Sequence, residues 1–102
     1  MQTLIRLDPI PLPRPSRHVA ARRVGSQMVL VPTARRASEL GSVFTLNEVA
    51  ARIWELLPTA RCVDEIVDAL LAEYEADRLI LRADVLGFLA DGIAAGVLEV
   101  TE

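Results

Sequence analysis

Two side chains in this sequence are of types that could attack a substrate or move a proton: His18, the single histidine, and Cys62, the single cysteine. An imidazole works as a general base only when it is held within hydrogen-bond reach of the proton it takes. His18 follows a stretch in which Pro9, Pro11, Pro13 and Pro15 alternate with other residues, a poor place for such positioning. Cys62 precedes a run that reads as a helix, and a helix N-terminus can lower a thiol pKa. No histidine neighbours it, and Cys62-Val63-Asp64-Glu65 has the spacing of a capping box with Cys in the Ser/Thr position. The cysteine therefore reads as a weak structural cap. One Cys and one His cannot complete a zinc tetrad, and there is no glycine-rich phosphate loop. These residues point away from catalysis and from any bound cofactor or metal.

The elements that would have to position a site follow from the hydrophobic pattern. Residues 1–17 read as a proline-rich flexible arm, because each proline lacks an N–H and pushes its predecessor toward extended geometry. From His18 onward the chain reads as one domain, 18–102. Val19–Val24 and Met28–Val31 flank Gly25-Ser26-Gln27, which predicts a β-hairpin. A loop from Pro32 to Gly41 exposes Arg35, Arg36 and Glu39. Ser42–Leu46, rich in β-branched and aromatic residues, predicts a third strand that ends at Asn47, a strong helix N-cap.

Three helices follow. The first is expected over about Glu48–Leu57, with Val49, Ala50, Ile53, Trp54 and Leu57 on one stripe and Pro58 as its stop. The second spans Val63 to about Tyr74, with Asp64, Glu65 and Asp68 near its start where the helix dipole favours negative charge and the acidic face reads as solvated. The third spans about Ala83–Ala95, burying Val85, Leu86, Phe88, Leu89 and Ile93 and closing at Gly96. Val97–Val100 reads as a final short extended segment. The class is α+β, a three-stranded antiparallel sheet followed by three helices.

Composition sets the outer bounds. The chain has 102 residues, 52% of them hydrophobic but only 4% aromatic, so a single aliphatic core is expected. No apolar run approaches the roughly 18 residues that span a bilayer, and Asp8 with the prolines breaks up anything resembling a signal peptide. A lone cysteine suits a cytoplasmic chain. The net charge of −3 is unevenly spread. Residues 1–52 hold eight Arg against Asp8, Glu39 and Glu48, whereas residues 53–102 hold Arg61, Arg78 and Arg82 against eleven acidic residues. Arg22, Arg23, Arg35 and Arg36 could thus attract an acidic partner, while the acidic second helix would repel nucleic acid.

The series Phe44-Thr45-Leu46-Asn47-Glu48-Val49 with Ile53-Trp54-Glu55-Leu56, then Val63-Asp64-Glu65-Ile66-Val67, then Asp84-Val85-Leu86-Gly87-Phe88-Leu89 and Gly96-Val97-Leu98, resembles the PqqD-like family over about residues 18–100. Members of that family recognise precursors of ribosomally made, modified peptides. The resemblance implies a winged helix-turn-helix-like fold that binds the leader of a precursor peptide and presents it to a modifying enzyme such as a radical-SAM, cyclase or protease component. It implies that the leader adds as a strand along Val43, Phe44, Thr45 and Leu46, against a helix wall formed by Val85, Phe88, Leu89 and Gly92. The sequence departs from the family in having Cys62 where Ser or Thr is usual, and in the two glycines, Gly87 and Gly92, of the third helix. Gly87 reads as a surface glycine; Gly92 shares the stripe of Val85, Phe88 and Leu89, where a missing side chain would deepen the groove.

Strand addition is physically sound in itself. An edge strand offers unpaired N–H and C=O groups, and apolar pockets at alternate positions add selectivity. The same edge would also accept a second copy of the chain, giving a homodimer. Two other readings compete: an adaptor that docks on an enzyme without touching the precursor, and a winged-helix DNA binder, which the acidic second helix argues against.

Overall fold

The computed structural model describes residues 12–33 and 43–100. The first eleven residues, the loop segment carrying Arg35, Arg36 and Glu39, and Ser42 lie outside them. The expected α+β order is the one observed. Strands β2 (Val19–Val24), β3 (Gln27–Pro32) and β4 (Phe44–Leu46) form an antiparallel sheet in the order β2-β3-β4. Helices α1 (Glu48–Leu56), α2 (Val63–Glu73) and α3 (Arg78–Ala95) follow. A second, two-stranded antiparallel sheet joins β1 (Arg14–Pro15) to β5 (Leu98–Glu99).

Local chemistry explains the boundaries. Val24 pairs with Gln27, so Gly25-Ser26 is a two-residue loop, and Gly25 supplies the positive φ of +64° that such a turn demands. The extended Asn47 accepts a hydrogen bond from the Ala50 N–H at 2.9 Å and starts α1. Cys62 is the N-cap of α2, but its side chain makes no capping bond. The capping box expected there is displaced by one residue: Glu65 accepts from the Arg61 N–H at 2.8 Å.

The third helix begins at Arg78, not near Ala83. Its cap is Asp77, whose carboxylate accepts from the N–H groups of Leu79 (2.8 Å) and Ile80 (3.2 Å). The extra turn escapes the sequence pattern because α3 is apolar on most of its sides, so no single stripe marks its start.

The core lies between the sheet and the helices, centred on Leu30, Ile53, Leu57, Ile66, Leu70 and Leu98. Trp54 is buried with them and Phe44 packs partly buried against them. On α3 the inward face is Leu81, Val85, Leu89 and Gly92, an i, i+4, i+8, i+11 stripe. Leu86 and Ile93, expected inside, stand 45% and 42% exposed because each follows a stripe residue and so is turned about 100° away from it.

Two expectations about charge and about the arm change. The acidic face of α2 is not simply solvated: Asp68 takes an ion pair from Arg78 at 2.7 Å and Asp64 one from Arg82 at 2.5 Å, tying α2 to α3. The arm was expected to be flexible through residue 17, yet its described part is seated in the domain. Leu12, Pro13 and Ser16 are buried, and the Arg14 guanidinium donates to the carbonyls of Leu57 and Ala60 where α1 ends. Pro15 fits a strand that pairs on one side only, where a missing N–H is tolerated.

Candidate functional site

The described residues that could act on a substrate remain few. His18 is partly exposed beside the start of β2, with its backbone N–H bonded to Ser16 Oγ at 3.1 Å. Cys62 is a free, partly buried thiol at the α2 N-terminus. No group of three His, Cys, Asp or Glu residues among those described could hold a metal.

The structure offers instead a strand edge and a cleft. Strand β4 is the terminal strand of its sheet: Leu30 pairs with Phe44, Val29 with Thr45 and Met28 with Leu46 on one side, and among the described residues nothing pairs with the other. Alternate backbone N–H and C=O groups of β4 therefore face outward, open to another extended chain. Thr45 is exposed, Phe44 and Leu46 are partly buried, and Val43 stands 59% exposed just before the strand.

Asn47, the residue after β4, opens a cleft of about 510 Å³. Val49, Ala50 and Ile53 of α1 form one wall; Ile80, Asp84 and Phe88 of α3 form the other, at i, i+4, i+8 spacing; Tyr74, Glu75 and Ala76 close the end beyond α2. Tyr74 donates from its hydroxyl to Glu48 Oε2 at 3.1 Å. Desolvation first, and then this bond and the negative charge of Glu48 and Glu73, push the Tyr74 phenol above its ordinary pKa.

Of the four α3 residues that resemblance assigns to the groove wall, only Phe88 lines this cleft. Val85 and Leu89 are core residues on the neighbouring face. Gly92 is likewise buried, for a different reason than depth of groove. A Cβ built there would sit 2.5 Å from Leu98 Cδ1 and 2.8 Å from Leu98 Cγ, so the glycine lets β5 close on α3. The cleft thus meets the expected helix on the face of Ile80, Asp84 and Phe88, beside the face that carries Val85, Leu89 and Gly92. Ile80 was missed because the helix was expected to start after it; the signal that would have found it is Asp77 as an N-cap ahead of Arg78-Leu79-Ile80-Leu81.

The arginines expected to draw an acidic partner are only partly placed. Arg22 is exposed on β2, while Arg23 is engaged with Glu55 of α1. Arg35 and Arg36 lie outside the described residues.

Comparison with known proteins places this arrangement in company. The family description "Coenzyme PQQ synthesis protein D (PqqD)" matches residues 27–98. Among solved structures, the chain is similar to TbiB1 in complex with the TbiA(beta) leader peptide. That likeness is 31% identity over 87% of this chain and 98% of the other, with a TM-score of 0.73. It also shares its fold with lasso peptide synthetase B1 complexed with the leader peptide, at 20% identity over 88% of this chain and 99% of the other, TM-score 0.70. No curated protein sequence matches it.

Proposed function

Because this chain belongs to the PqqD family, we propose that it is a recognition element for ribosomally made precursor peptides, a non-catalytic domain that captures a leader segment for a modifying enzyme. The observation that carries the reading is the likeness to TbiB1, which extends over nearly the whole of both chains and was solved with a leader peptide bound. The free edge of β4 beside an apolar cleft is the surface that suits the task.

In this reading the leader lies as an extra antiparallel strand along Val43–Leu46 and sends an apolar side chain into the cleft against Ile53, Ile80 and Phe88. Main-chain hydrogen bonds net only about 0.5–1.5 kcal/mol each. One or two buried Leu- or Phe-sized anchors add about 1.5–3 kcal/mol each, so micromolar affinity needs the anchors as well as the edge. Val85, Leu89 and Gly92 support the wall from beneath. The enzyme served would be a radical-SAM, cyclase or protease component, and a cytoplasmic site of action fits a substrate made on the ribosome. Self-pairing of two copies through β4 would compete with the leader for the same edge.

The test is titration of the full chain with synthetic leader segments of small peptides encoded beside its gene, read by fluorescence anisotropy. Saturable binding at micromolar or tighter Kd is expected. Replacing Phe88 by Asp, in a variant whose circular dichroism is unchanged, should weaken it about tenfold or more. Main-chain N-methylation of the peptide at alternate positions should do the same, because it removes the N–H groups that pair with β4. A folded protein that binds none of these leaders would favour the enzyme-docking adaptor instead.

A further inference from the structure

We propose that this cleft selects leader segments in which a lysine or arginine stands within one or two positions of the apolar anchor. The proposal rests on the leader-binding reading and adds to it the charge of the ligand.

The argument begins with the carboxylates around the opening. Glu75 lines the cleft at its closed end and Asp84 from the α3 wall, and Glu48 is held beside it by the Tyr74 hydroxyl. Among the described residues none of the three has a cationic partner within ion-pair distance. The arginines of the surrounding helices are committed elsewhere. Arg52 chelates Glu73, with both Oε atoms 3.0 Å from its Nε, and also reaches Glu55; Arg78 and Arg82 are paired with Asp68 and Asp64 on the far flank of α3. The cleft thus joins an apolar floor to an uncompensated negative rim.

A cleft walled by low-dielectric side chains concentrates such a field and discriminates among ligands by charge. The raised pKa of the Tyr74 phenol, owed in part to Glu48 and Glu73, reports the same negative potential from inside the cleft. A Lys or Arg beside the anchor would lay its methylene stem on Ile80 and Ala76 and bring its charge to Asp84 or Glu75. An acidic residue at the same place would be repelled. Of the two hairpin arginines, Arg23 is already engaged with Glu55.

The experiment uses the immobilised full chain and a pool of short synthetic peptides of randomised sequence, with the captured peptides sequenced by mass spectrometry. Captured sequences should be enriched in Lys or Arg within two positions of an aliphatic or aromatic residue. For the best of them, Asp84→Asn and Glu75→Gln, both at exposed positions, should each weaken binding roughly two- to fivefold, and added salt should weaken it further. Apolar anchors captured without such enrichment, or affinities indifferent to both substitutions, would overturn the charge inference while leaving leader binding intact. Capture of no peptide at all would remove the leader-binding reading, and this inference with it.

Discussion

At the scale of single residues, two glycines of α3 behave oppositely although they lie five residues apart on one helix. A Cβ at Gly87 meets nothing within 4 Å, so Gly87→Ala should only reduce the freedom of the unfolded chain and stabilise the protein by about 0.5–1 kcal/mol. A Cβ at Gly92 runs into Leu98, which is buried and cannot swing aside. Overpacking of this kind costs about 1–3 kcal/mol, so Gly92→Ala should destabilise despite its better helix propensity. Urea denaturation of the two variants checks both signs at once. The sequence spoke clearly for Gly87, whose surroundings are its own helix and solvent. It misled at Gly92, because the atom that excludes a methyl group belongs to a strand arriving after the chain has turned back. Asn47 was legible for the converse reason: a cap and its recipient N–H are three residues apart, and nothing distant takes part.

Around the core, seams of charge join one element to the next. Arg23 joins the hairpin to α1 through Glu55, Arg52 joins α1 to α2 through Glu73, and Arg78 and Arg82 join α3 to α2. The hydrogen bond from Arg23 holds Glu55 below the ordinary glutamate pKa of 4.5, and that from Arg52 does the same for Glu73. A carboxylate whose folded pKa is depressed stabilises the fold fully above its unfolded value and loses that contribution as pH falls through the folded value. The midpoint of urea unfolding should therefore be level from neutrality down to about pH 5 and fall below it. The double variant Glu55→Gln/Glu73→Gln should flatten that fall. The effect is modest, because both carboxylates are partly solvated. Strand and helix identities were readable from period and caps. The inward face of α3 was readable at Val85 and Leu89 but not told apart from Leu86 and Ile93, since a helix apolar on nearly every side marks no single stripe.

For the whole molecule, the segment before the hairpin belongs to the fold. Leu12 is buried in the core, and Arg14 satisfies carbonyls that the end of α1 leaves open. A chain shortened to residues 18–102 loses the Leu12 anchor, worth about 1.5–3 kcal/mol, and the charged hydrogen bonds of Arg14, worth about 1.5–3 kcal/mol more. Its stability to urea should drop by several kcal/mol, whereas loss of the first ten residues alone should leave Leu12, Arg14 and the two-stranded sheet in place. The alternating prolines hid this docking. They announce an extended chain correctly, but extension is equally the geometry of a free tail and of a strand lying on an edge, and only the position of β5 decides between them. That pairing also brings Arg14 opposite Glu99, so the polypeptide enters and leaves the domain at one pole. A domain with neighbouring ends can be spliced into a loop of a larger enzyme, or circularly permuted at the Gly25-Ser26 turn, without moving its strand edge or its cleft. What such a transfer carries is the whole domain, with the free β4 edge and the cleft keeping their places on it.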